Sequence, residues 1–312
     1  MLQSVRRSFT ASALVVLFMP LVSFASDIQT LFNAEGYELQ YEIIFKATAQ
    51  GTYTPAMTGG SCSYTTSLER HFTKSLPLNM RTGGPSISQV RSAMTMSAQK
   101  MTLAESQKYT MDLLAKTEHT ATWMNAGIEV ADDATDEQQQ AAGLAYIEAT
   151  KGMCTLDYTI VDICKDLVTE MGTQYDQTTK TRGAGSGKVR NSDQIMMEMD
   201  ASSKKYLLML GYSYMDDSSS SVQIKVDTHS ESKGEPPHDT TTFNYTSLEI
   251  FNHDFRVDDS TALVGMNLYL EGNIDPATGK IVGEHNLRAH YPGYQGDVPG
   301  ILTIRFTLTP KQ

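Results

Sequence analysis

The stretch ILTIRFTLT, residues 301–309, sets Leu302, Ile304, Phe306 and Leu308 at every second position, with Thr303, Arg305 and Thr307 between them. Residues two apart share one face of an extended strand, so the segment reads as a strand with one apolar and one polar face. A helix would scatter the same apolar set around its axis. The alternation recurs upstream. In SVQIKVD, Val222, Ile224 and Val226 alternate with Gln223, Lys225 and Asp227, and TTFNYTSLEIF and ALVGMNLYL follow in the same manner. Near the other end, YELQYEIIF sets Tyr37, Leu39, Tyr41, Ile43 and Phe45 against Glu38, Gln40 and Glu42, and CSYTTSLERHF alternates again. The stretch EGNIDPATGKIVGE carries Asp275-Pro276 and Thr278-Gly279, the punctuation of a hairpin turn.

The middle of the chain changes character. In PSISQVRSAMTMSAQKM a breaker precedes Ser86, a candidate cap, and Ile87, Val90, Met94 and Met101 fit one helical face. DATDEQQQAAGLAYIEATKGM offers Asp133 or Thr135 as a cap, with acidic residues in the first turn. TIVDICKDLVTEMG fits a helix or a strand. These features predict a β-dominated α+β protein. Its antiparallel sheet system is a sandwich or incomplete barrel in one domain over residues 26–312. A mainly helical insertion occupies about 86–172, followed by a polar connection or long polar hairpin over about 173–194.

The chain opens MLQSVRRSFTASALVVLFMPLVSFAS, with Arg6 and Arg7 before an apolar run and small residues at Ser23 and Ala25. That pattern predicts a secretory leader cut after Ala25, hence a periplasmic or extracellular destination. No later stretch reaches the ~18 apolar residues of a membrane helix. The net charge is −11, and loss of Arg6 and Arg7 with the leader would make it −13. Such a charge opposes nucleic acid and anionic surfaces. Of the three cysteines, Cys154 and Cys164 stand nearest in sequence and are the expected bridge, leaving Cys62 over.

Familiar catalytic motifs fail on inspection. RGAGSGKVR, residues 182–190, resembles a phosphate loop, but Arg182 stands where a glycine is required and Val189 where a hydroxyl must bind Mg²⁺. The positions two residues either side of Ser186 are Ala184 and Lys188, not the glycines of a nucleophile elbow. Two metal candidates stand out. His229 and His238 flank Pro236-Pro237 and, with Asp239, would suit Zn²⁺ or Cu²⁺. Met94 and Met96, with Met101, His119, Trp123 and Met124 near in sequence, would suit Cu(I). No cofactor is implied. The resulting expectation is a non-enzymatic binding protein of the cell envelope, holding an apolar small molecule or an envelope component in a concavity of its sheet. Three other classes fit the same features: a surface or adhesive structural module, an envelope-polymer hydrolase and a copper-binding periplasmic protein.

Overall fold

The computed structural model describes residues 25–56, 59–81, 86–98, 102, 104–105, 108, 122–125, 133–149, 151–169, 172–188, 195–211, 221–246, 256–259, 261–264, 267–293 and 296–311. Apart from Ala25, the expected leader lies outside the described residues.

Alternation does dictate strands. The YELQYEIIF segment lies in β1 (Gly36–Tyr53), which pairs along its whole length with β2 (Ser61–Arg81). The ILTIRFTLT segment lies in β14 (Gly296–Pro310), on the other side of β1. Beyond it come β13 (Ile281–Gly293) and the short β10 (Arg256–Val257). The far side of β2 serves two partners. Up to Thr73 it pairs with β4 (Lys151–Thr169), and from Asn79 to Arg81 with β3 (Thr122–Asn125). One branch continues from β4 to β5 (Gly172–Lys188), β8 (Ser221–Ser232) and β9 (His238–Thr246). The other runs from β3 through β6 (Met196–Asp200), β7 (Lys205–Gly211) and β12 (Asn267–Asn273) to β11 (Leu263–Val264). All these pairs are antiparallel and make one 14-stranded sheet.

The sheet curls until the β7 branch lies over β13 and β14. The Tyr206 ring on β7 meets the Phe306 ring on β14 edge-on at 5.3 Å, and its hydroxyl is 3.1 Å from His285 Nε2 on β13. Between these walls lies one apolar core. Tyr37, Leu39, Phe45, Phe72, Leu302, Ile304 and Leu308 fill it from one side, and Met124, Met197, Met199, Leu208 and Leu270 from the other. Such dense burial of alternate side chains is the main favourable term in folding. Gly272 and Gly283 make room for it: a Cβ at either would fall within 3 Å of Tyr206 or Phe306. The methionines of the MMEM run divide by strand parity, Met197 and Met199 inside the main core and Met196 against a second cluster.

The second cluster explains why β7 and the first half of β12 are buried on both faces. Helix α2 (Ile87–Ala98) lies on their outer side, with Ile87 packed against Leu207, Met209 and Tyr269. Ser86 and Gln89 form a reciprocal cap on α2, and Glu198 accepts from the Ile87 and Ser88 amides at 2.8 and 3.3 Å. Arg91 then clamps the helix to Glu271 and to the Thr261 carbonyl. Helix α1 (Ala25–Asn33) rests against β14, and its Leu31 carbonyl accepts from the buried Tyr37 hydroxyl. Helix α3 (Asp136–Ala149) starts at the reciprocal cap of Thr135 and Gln138.

Several expectations need correction. Between residues 86 and 172 the described elements are α2, α3 and two strands: Thr122–Asn125 is β3, and TIVDICKDLVTEMG, which fits a helix or a strand, belongs largely to β4. There a ladder to β2 from Ser61 to Thr73 outweighs local helix preference. The polar segment after it, which reads as a connection or a long polar hairpin, takes the second form. It is β5, the second arm of a long polar hairpin, and Gly183, Gly185 and Gly187 stand directly opposite Leu156, Cys154 and Gly152. The turn at Asp275–Gly279 forms, with Asp275 accepting from the Ala277 amide at 2.9 Å, but it closes no hairpin. Its flanking strands β12 and β13 pair with β7 and β14 instead. ALVGMNLYL is two paired strands, not one.

The disulfide also differs from expectation. Cys62 bridges Cys164, its direct neighbour across the β2–β4 ladder, and Cys154 is a buried thiol outside the bridge. Cys154 and Cys164 are ten residues apart on one strand, roughly 33 Å at ~3.3 Å per residue, so they cannot meet. Burial pushes the Cys154 thiol up to about 12, which leaves it protonated and inert. The bridge closes a separation of 102 residues. Cys62→Ser and Cys164→Ser should therefore each lower stability by about 4–5 kcal/mol. Cys154→Ser should leave the bridge intact. Unfolding of the three variants under non-reducing conditions checks this; equal losses for Cys154→Ser and Cys164→Ser would contradict the pairing.

Candidate functional site

Buried side chains pack together in the core, and a large concavity lies on the opposite, polar face of the sheet. There β13, β14, β1, β2, β4 and β5 bend into an open trough of about 1020 Å³. Six strands at ~4.8 Å spacing make it about 24 Å across. The trough sits where β2 passes from its last β4 pair, at Thr73, toward its first β3 pair, at Asn79, so Ser75 lies between the two ladders and lines it.

Strand register builds its floor. Glu284, Arg305, Glu42, Thr73, Met153 and Ser186 stand opposite one another in that order across the six strands. Arg305 bridges two carboxylates, with Nε donating to Glu284 at 3.0 Å and Nη1 to Glu42 at 3.4 Å. The other Glu42 oxygen meets His71 Nε2 at 2.7 Å. Beside this row Glu38 accepts from Ser75 at 2.5 Å and from Gln40 at 3.5 Å. Hydrogen bonds from Arg305 and then Asn286 hold the Glu284 carboxyl below the usual carboxylate range, and those from Ser75 and Gln40 do the same for Glu38. Apolar surface flanks the row, with Met153 60% and Val282 64% exposed.

The trough is therefore a charged, hydrogen-bonded strip edged by unburied apolar side chains. It suits orientation of a bound group more than acid–base chemistry. A hydrolytic carboxylate pair needs one acid with a raised pKa. Among the described carboxyls with a resolved shift, burial raises that of Glu198, which is engaged in capping α2. The ion ladder continues along the outer face: Lys46 meets Glu69 at 3.1 Å, Arg182 meets Asp157 at 3.2 Å and Lys225 meets Asp227 at 2.7 Å.

The structure places the metal candidates as follows. His229 on β8 and Asp239 on β9 are cross-strand neighbours, with Nδ1 to Oδ1 at 2.5 Å, and Glu231 takes the other ring nitrogen at 3.0 Å. Two carboxylates on opposite sides of one imidazole do not converge on a point. His238 stands opposite Ser230 and next to Asp239 in the strand, so the sheet puts it on the face away from His229. Met94 and Met96 lie in α2, where their side chains fall outside the described residues, as do Met101, His119 and the Trp123 side chain; Met124 is core. Among the described residues no group of three or more His, Cys, Asp or Glu could hold a metal ion. Glu42, His71, Glu284 and Arg305 are the residues that sequence reasoning missed. Each sits at a polar position of an alternating strand, but only the register aligns them.

No family model matches the sequence, and no curated protein does. Two solved structures show a low level of similarity. One is lipovitellin, studied for its lipid–protein interactions, at 8% identity and a TM-score of 0.21, covering 91% of this chain and 24% of that one. The chain thus spans about a quarter of lipovitellin's length. The other is the transport unit of the autotransporter AIDA-I from Escherichia coli, at 8% identity and a TM-score of 0.16, covering 96% of this chain and 94% of that one. At these scores neither likeness supports an argument about fold or ligand.

Two histidines give the protein opposite responses to pH. Burial against Tyr206 and Phe306 lowers the His285 pKa below 6.5. Its stabilising share is present above the unfolded value of about 6.5 and is lost as pH falls below it. Hydrogen bonds to Asp239 and Glu231 raise the His229 pKa. Its share is present below about 6.5 and is lost as pH rises, but it is exposed and small. Replacing His285 by Gln, which keeps an acceptor for the Tyr206 hydroxyl, should flatten the fall in melting temperature between pH 7 and pH 5. An unchanged fall would show that His285 does not titrate on unfolding.

Proposed function

We propose that the chain is a non-enzymatic binding protein of an exported compartment, and that the outer-face trough holds an amphipathic ligand. One observation carries the reading: a hydrogen-bonded row of Glu284, Arg305 and Glu42, the last held from outside the lining by His71, runs beside exposed Met153 and Val282 in a single open concavity. Apolar side chains left in water beside oriented polar groups suit a ligand with both characters. The Cys62–Cys164 bridge supports an oxidising compartment, and no helix among the described residues is long and apolar enough to cross a membrane. The apolar cargo expected from the sequence is thereby moved from the interior, which side chains fill, to the outer face.

A second reading, a surface structural module, is favoured by the filled core itself. Native mass spectrometry of the purified protein, followed by titration with lauric acid, separates the two. A binding protein should carry an extra mass that denaturation removes, and should take up the fatty acid. Met153→Asp, at an exposed position, should weaken that uptake at least tenfold while leaving the fold intact. A bare polypeptide mass under several mild extraction conditions, together with no uptake, would favour the structural module.

A further inference from the structure

We propose that β9 is a pairing edge through which two copies of this chain join their sheets about a two-fold axis at Thr242. Strand β9 closes its branch of the sheet and has β8 on one side. Residues 233–245 are exposed throughout, and among the described residues neither a helix nor a loop covers this edge. Phe243 and Tyr245 are 62% and 75% exposed there. An edge strand that remains monomeric usually carries a lysine, a proline or a bulge to block further pairing. The sequence HDTTTFNYT has none of these, and the proline pair Pro236-Pro237 ends before it. Six of its nine residues, Thr240, Thr241, Thr242, Phe243, Tyr245 and Thr246, are β-branched or aromatic and favour extended pairing.

The occupant follows from the strand's own pattern. Antiparallel pairing of β9 with a second β9 overlaps all nine residues only if Thr242 meets Thr242 of the second copy. In that register Thr241 stands opposite Phe243, Thr240 opposite Asn244 and Asp239 opposite Tyr245. No like charges meet, threonine faces an aromatic ring, and a carboxylate faces a phenol. The contact is isologous and closes at two copies, so it does not propagate into a fibre. The trough ends at Ser186 on β5, two strands from β9, and none of its lining residues lies on β9, so the pairing stands independently of the binding function.

The test uses the whole purified protein. Sedimentation should show a reversible dimer, and Thr242→Lys, which sets two ammonium groups face to face at the axis, should raise its dissociation constant at least tenfold. Thr242→Cys should form a disulfide-linked dimer on mild oxidation. Thr240→Cys alone should not, whereas a mixture of Thr240→Cys and Asn244→Cys should. Cys154 is buried and does not compete. Far-ultraviolet circular dichroism confirms that each variant is folded. The proposal is overturned by a monomer at every concentration, by a dimer that Thr242→Lys leaves unchanged, or by linkage through Thr240→Cys alone.

Discussion

The architecture depends on the length of one strand. β2 is 21 residues long, and β1 satisfies one side of it along 18 pairs. An unpaired row of backbone amides and carbonyls on the other side would be costly wherever it is buried. No single neighbour covers it. β4 takes the part up to Thr73 and β3 the last three residues, so the sheet divides at β2. The two branches then meet different fates. The β3 branch folds over β13 and β14 and encloses the core. The β4 branch extends outward, its inner face apolar near Leu156, Tyr158 and Ile224 and polar beyond.

The same division makes the candidate site. The concavity of the outer face lies beside the point where the partner of β2 changes. Residues that alternation sends outward, Glu42 on β1, Thr73 on β2, Glu284 on β13 and Arg305 on β14, then face one shared space. Charges brought close on a concave face must be paired, and Arg305 between two glutamates achieves this.

How much of this could be read from the sequence follows the range of each signal. Period-two alternation is local, so the strands of Tyr37–Phe45, Val222–Val226 and Leu302–Leu308 were legible. The same holds for the caps at Ser86 and Thr135, which need only a residue three positions on. Partner choice is not local. Nothing near Asp275 shows that β12 and β13 will pair elsewhere, and nothing near Cys154 shows that it shares a strand with Cys164. The glycines of 183–187 read as a loop because small residues weaken any local strand signal, whereas the ladders to β4 and β8 hold them extended. The site was the least legible part, because register alone assembles it.

The measurement that tests this account most directly is residue-resolved nuclear magnetic resonance of β2, recording cross-strand contacts and amide exchange. The account requires contacts from Phe72 to Cys154 and from Met80 to Met124 in one molecule, with slow exchange on both segments and faster exchange at those amides of residues 75–78 that point away from β1. A single strand paired with β2 from end to end would contradict it. The division of the sheet, and with it the trough, would then be absent.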